Sequence, residues 1–200
     1  TTNASLSGFL VISGATATTG IPDAFGGGVH CAGATAWLTN CIIRNNRATL
    51  VGGGVRNGTL RGCVLTGNKA WLAGGAINAA LINCTILGNE AVSNNPTSTG
   101  GALNGSMTNC ICWGNTAPNP SNANYRTAPT SYSCTWPLPA SGTGNITNDP
   151  LILNDQLPYL LPGSPCIDAG TTQAWMDGVA DLQGDARVIG TNADMGADEF

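Results

Sequence analysis

The chain has 200 residues, enough for one domain, and 9% of them are charged, far below the roughly 25% of an ordinary globular protein. Its surface must instead be built from Thr, Ser, Gly and Asn, with 28 Gly and 21 Asn, which points to a β-rich, turn-dense, exported protein and away from a cytosolic enzyme. A net charge of −4 argues against nucleic acid as a partner, and no stretch of 18 apolar residues is present to span a membrane.

The chain opens on a polar segment at Thr1 that is not a signal peptide, so a mature form or an excised domain is expected. Residues 5–14 (SLSGFLVISG) then begin a repeat that is clearest over residues 52–91. Four columns keep one register along the chain: Leu6, Leu38, Leu60, Leu81, Met107; Phe9, Cys41, Cys63, Cys84, Cys110; Val11, Ile43, Leu65, Ile86, Cys112; and Gly14, Asn46, Asn68, Asn89, Asn115. Successive copies are 32, 22, 21 and 26 residues apart. A unit of this length cannot bury its own apolar face and must stack on its neighbours, which makes the chain a solenoid.

Positions two residues apart share a strand face, so the Cys column and the one after it point inward together. A second strand in each rung is expected to contribute Val29, Val55, Ile77 and Leu103, each preceded by glycines. The Asn column lies where the chain turns. Asparagine tolerates the left-handed conformation, and stacked amides can bond from rung to rung. The extra residues of the longer spacings fall in loops at 20–25, 31–36 and 92–99. Too many Gly, Asn and β-forming residues are present for a helical solenoid.

Residues 117–128 (APNPSNANYRTA) break the pattern and read as a long surface loop, about 117–130. Residues 132–136 add a further rung with Cys134 in the Cys column, and 148–153 a further short strand. From Gln156 onward the chain is rich in Pro, Gly and Asp without a period, and is expected to cap one open end. The reading is therefore an all-β parallel β-helix of about six rungs over 1–155 with an irregular cap over 156–200.

The rungs together with SPCIDAG (164–170), DLQGDAR (181–187) and DMGADE (194–199) resemble bacterial surface proteins of the pectate-lyase-like parallel β-helix superfamily, in particular those of the choice-of-anchor Q type. GGAI (74–77) and GGAL (100–103) are similar to polymorphic outer-membrane protein repeats. The resemblance implies a right-handed helix and an extracellular or cell-surface location, and no particular reaction. Gln183 departs from it, standing where the family often has an acid.

Of the eight cysteines, four fall in the inward column and are expected to form a reduced, buried ladder, Cys41, Cys63, Cys84 and Cys110. Neighbours in register on parallel strands present poor disulfide geometry, so a bridge is expected, if anywhere, at Cys134 or Cys166. Asn46, Asn68, Asn89 and Asn115 form the second structural ladder. No CxxC pair or His cluster suggests zinc. His30, the lone histidine, should point outward beside inward Val29.

In residues 1–126 the carboxylates are Asp23 and Glu90, on separate rungs, so the pair a glycosidase requires is lacking there and no catalytic residues are assigned. Asp177, Asp181, Asp185 and Asp194 are the hard oxygen ligands from which a structural calcium site could be built, although their spacing matches no calcium loop and Arg187 should pair with one of them; no cofactor is expected. Arg44, Arg47, Arg56, Arg61 and Lys69 lie in the central rungs, either as solvated faces or as contacts for acidic cell-surface or matrix glycans. The five tryptophans are expected to pack loops onto the solenoid.

Residues 1–126 hold six Lys/Arg against two Asp/Glu, and 127–200 one against nine, so the wound chain should have a positive and a negative end. Open solenoid ends carry unpaired strand edges that template further pairing. The expected function is a non-catalytic extracellular structural protein that joins to copies of itself head to tail through Ser5, Leu6, Phe9 and Val11 at one end and Asp194, Glu199 and Phe200 at the other, giving filaments. The alternatives are an adhesive or surface-display module of a larger exported protein, and a polysaccharide lyase or glycoside hydrolase.

Overall fold

The computed structural model describes residues 4–16, 24–126, 129–154, 156 and 158–200; Asp23 and most of the 20–25 loop lie outside these. The described chain is a parallel β-helix of about five turns, against the six rungs expected. One sheet stacks Ser5–Ser7, Trp37–Thr39, Thr59–Arg61, Ala76–Ile82 and Ala102–Thr108. The second stacks Leu10–Ile12, Ile42–Arg44, Val64–Thr66, Thr85–Leu87, Ile111–Trp113 and Cys134–Thr135. A short third ladder pairs Lys69–Ala70 with Glu90–Ala91.

Strands stay short because each turn has three tight corners, and each corner needs a residue at positive φ. Asn57, Asn78 and Asn104 supply one (φ 54–60°), the last two as a bend within Ala76–Ile82 and Ala102–Thr108, Asn40, Gly62, Asn83 and Asn109 the next (φ 47–58°), and Asn45, Gly67, Gly88 and Gly114 the third (φ 54–62°). The third corner corrects the sequence reading. The left-handed residue is the one before the ladder asparagine, which leaves Asn46, Asn68, Asn89 and Asn115 free to serve as amide rungs.

The Leu and Val/Ile columns fill the interior in the expected register, Leu38–Leu60–Leu81–Met107 and Ile43–Leu65–Ile86–Cys112, all of them buried. The other strand of the first sheet differs. Val55 pairs with Ala76, which pairs with Ala102. Ile77 and Leu103 therefore point outward, where they form a small second cluster with Ala73. A side-chain period of two means that a one-residue slip reverses the face. The preceding glycines bring the chain so close to the next turn that a Cβ on Gly53 would sit 2.5 Å from the Gly74 and Lys69 carbonyl oxygens.

The region read as a loop rejoins the solenoid. Pro120–Asn122 is a single 3-10 turn, Tyr125–Arg126 pairs with the fifth turn, and Asn124 extends the asparagine ladder. Cys134 pairs with Ile111 and not with the Cys column, so it faces outward. Ser133 takes the column position, its hydroxyl accepting the Cys110 N–H at 3.0 Å. Residues 148–153 are not another rung: Ile152 bridges antiparallel to Leu160.

The tail caps the solenoid along its flank and not over an open end. It lies on the outer face of the second sheet, where Leu160, Cys166 and Met195 pack on Leu87, Ile111 and Cys134. The Ala197 N–H reaches the Thr85 hydroxyl at 2.9 Å. Asn83 donates to the Asp194 carbonyl, Asn109 to that of Thr171, and Asn40 to that of Asp181. The corner asparagines of several turns thus hold the tail as it runs back along the axis. This explains why the second sheet carries apolar residues on both faces.

Candidate functional site: the open first turn

The first turn is the place where the solenoid stops short of burying itself. Among the described residues Ser5–Ser7 pairs only with Trp37–Thr39, and Leu10–Ile12 only with Ile42–Arg44. Leu6, Val11 and Val29, the inward residues of this end, are half-buried, whereas Leu38, Ile43 and Val55 one turn in are at most 2% exposed. Phe9 occupies the Cys column yet is 56% exposed, and Leu10 and Ile12 beside it are 52% and 44% exposed. The flank tail reaches this end at Ala180–Gly184, and a cleft of about 460 Å³ separates that loop from Gly8, Phe9 and Leu10. The surface offers strand edges, apolar side chains and no charge among Ser5–Ile12.

The seven residues expected to mediate self-association divide. Ser5, Leu6, Phe9 and Val11 lie together on this end. Asp194 and Glu199 are buried at 2% and 5% exposure inside the tail. Phe200 is exposed but held by the Asp194 carboxylate, which accepts its N–H at 2.8 Å. That segment sits on the outer flank of the fourth and fifth turns, through Thr85 and Asn109, so the C-terminus does not form the opposite end. Residues 130–146 do, and Trp136 and Leu138 are exposed there.

The two ladders are as regular as the columns suggest. The Oδ1 of Asn46 accepts the Gly14 backbone N–H at 2.8 Å, and from Asn68 onward each asparagine Oδ1 accepts both the backbone N–H and an Nδ2–H of the ladder residue one turn earlier, at 3.0 and 3.0 Å for Asn46 on Asn68 and at 2.9 and 2.9 Å for Asn89 on Asn115. The remaining Nδ2–H goes to a strand carbonyl, Ile43 for Asn68 and Leu65 for Asn89. Cys41, Cys63, Cys84 and Cys110 are fully buried, and each thiol donates to the carbonyl two residues earlier at 3.3 Å. All eight cysteines are free thiols. Burial raises the thiols of Cys63, Cys110 and Cys112 and keeps them protonated.

The four tail aspartates do not converge. Asp177 and Asp185 are exposed, and Asp181 and Asp194 are buried with their oxygens already taken. Asp181 accepts the N–H groups of Gln183, Gly184 and Asp185 on one oxygen and that of Glu199 on the other. Arg187 pairs with Glu199 at 3.1 Å and not with one of the four. Among the described residues no cluster of three metal-ligating side chains forms.

The basic residues are likewise spread around the perimeter. Arg44 reaches Gln156, Lys69 pairs with Glu90 at 2.7 Å, and Arg56 donates to His30 Nε2 at 2.7 Å over the Phe25 ring. His30 points outward as expected, and burial and then the Arg56 charge push its imidazole down. Arg61 is different, stacked between Trp37 and Trp175 with its charge centre 4.2 and 4.4 Å from the two rings. Sequence reading missed this group, because Trp175 comes from the tail. Next to it, Gln173, Met176, Asp177 and Asp185 line a cleft of about 600 Å³.

Fold and site together define the class: a parallel β-solenoid repeat protein with a flank-packed tail. No protein-family model and no curated protein matches the chain. No helix among the described residues is long and apolar enough to cross a membrane.

Proposed function

We propose that this protein is a non-catalytic extracellular structural subunit that stacks end to end on copies of itself, the first turn of one copy receiving the far end, residues 130–146, of the next. The observation that carries this reading is the open first turn, with one-sided strands and Phe9, Leu10 and Ile12 exposed in a row. Burying an exposed side chain of this kind contributes about 1.5–3 kcal/mol. A strand edge supplies direction and register as well. A contact between two different ends does not close, so it propagates as a filament. The location outside the cell rests on the low charge, the Asn/Gly/Thr surface and the resemblance to surface proteins. Negative-stain electron microscopy of the untagged protein at neutral pH tests the reading. Filaments with an axial repeat of about 25–30 Å, the height of the stacked turns, are expected; isolated short rods at high concentration would refute it.

A second reading, glycan binding or processing, is favoured by the Trp37–Arg61–Trp175 stack beside the cleft that carries Asp177 and Asp185. Aromatic faces suit sugar rings and a guanidinium suits a uronate. Titration with acidic polysaccharides, compared between wild type and Arg61→Ala, tests it. Binding or cleavage that Arg61→Ala abolishes supports an adhesive or enzymatic role, and no binding removes it.

A further inference from the structure

The register shift at Cys134 has a chemical consequence. It takes this thiol out of the inner column and points it at the tail, into the apolar cluster that contains Cys166. Both residues are 0% exposed. They approach from separate elements, one from the last strand of the second sheet and one from the tail, and both backbones are fixed. The Cys134 N–H donates to the Cys110 carbonyl at 2.8 Å, and the Cys166 carbonyl accepts the Met195 N–H at 3.0 Å. Among the side chains near Cys134, Cys166 acts on its thiol most strongly, raising it, while the thiol itself donates to the Asn148 carbonyl at 3.2 Å.

We propose that Cys134 and Cys166 are a disulfide-forming pair, whose bridge ties the flank tail to the solenoid. The column cysteines are not such a pair. Cys41, Cys63, Cys84 and Cys110 stand on parallel strands about 4.8 Å apart, further than the Cβ separation a disulfide prefers. Cys134 and Cys166 are not held at the ladder spacing.

The reaction needs a disulfide co-reactant, such as oxidised glutathione or a disulfide oxidoreductase. One thiolate attacks the co-reactant's sulfur and forms a mixed disulfide, releasing the first reduced thiol. The second thiolate then displaces the second, so the S–S bond forms while both protons and both electrons pass to the co-reactant. In the closed molecule both thiols are buried, and Cys166 first and burial second raise the Cys134 thiol, which stays protonated and unreactive. Oxidation therefore takes place as the tail docks during folding, and the closed bridge is equally shielded from reductants. This inference stands apart from the filament reading, since it concerns one chain.

The test is to refold the reduced protein in a glutathione redox buffer, quench, alkylate under denaturing conditions and weigh the product. Of the eight thiols, two should escape alkylation, and peptide mapping should show Cys134 joined to Cys166. Cys134→Ser and Cys166→Ser should each leave the remaining thiols alkylated, with no new bridge. The oxidised protein should melt roughly 10 °C above the reduced one, as closing a loop of this length predicts, and the double serine variant should show no such response to reductant. Eight alkylated thiols, a bridge within the column, or equal melting temperatures for protein refolded with and without oxidant would each overturn the proposal.

Discussion

At the residue scale the solenoid depends on side chains whose polar atoms are all used. Asn89 is 0% exposed and accepts two hydrogen bonds from Asn68 while donating one to Asn115 and one to Leu65. Asn89→Ala leaves two buried donors of Asn68 unpaired, and an unpaired buried group costs about 1–3 kcal/mol. Chemical denaturation should show a loss of about 3 kcal/mol or more, against almost none for exposed Asn94→Ala. Gly74→Ala should be comparably damaging for a steric reason, because its Cβ would meet the Glu90 backbone at 2.5–2.7 Å; a loss of at least about 2 kcal/mol is expected in the same assay. These ladders were legible in the sequence because a buried amide or thiol must recur at each turn in one register. The slip at Val55 came from matching the larger residue Ile77. The neighbouring column advances 21 residues, from Leu60 to Leu81, and the same step from Val55 lands on Ala76. Apolar bulk was the weaker guide because Ile77 also finds a cluster outside.

At the element scale the tail is the part that composition could not place. It has no period, and its anchors are corner asparagines and outward strand residues that look solvent-facing in a repeat. The inner knot of Asp181, Arg187, Asp194, Asp198 and Glu199 was readable as a set of charges but not as a buried one. Burial is the main cause that raises the Asp198 carboxyl to about 6 and Glu199 to about 7 from ordinary values of 3.8 and 4.5, with Asp194 also raised. The charges facing them are Asp181, Asp194 and Arg187, the last of which acts in the opposite direction. A carboxyl raised on folding binds its proton more tightly in the folded state. Stability then falls as pH rises from the unfolded values near 4 through the folded values of 6 and 7. The melting temperature should be a few degrees higher at about pH 5 than at about pH 8. Asp198→Asn should flatten the slope, since its carboxylate contributes to it and an amide does not titrate. A melting temperature that climbs across this range would contradict the buried knot.

At the scale of the whole molecule, one flank of the solenoid is sealed by its own tail and the first turn is not sealed by any described residue. The charge asymmetry along the chain does not become an end-to-end dipole, because the acidic tail runs back beside the basic turns, and electrostatics therefore gives way to apolar strand edges as the driving term for association. The decisive measurement is sedimentation velocity over about a hundredfold range of concentration, comparing wild type with Phe9→Asp and Leu10→Asp. Both substitutions place a charge on an exposed side chain of the first turn, Phe9 being the exposed end of the Cys column and Leu10 lying outside the columns, and unchanged circular dichroism would confirm that the solenoid is intact. Wild type should shift to large species as concentration rises while both variants stay monomeric. A monomer at every concentration, or association that the two variants leave untouched, would contradict the account.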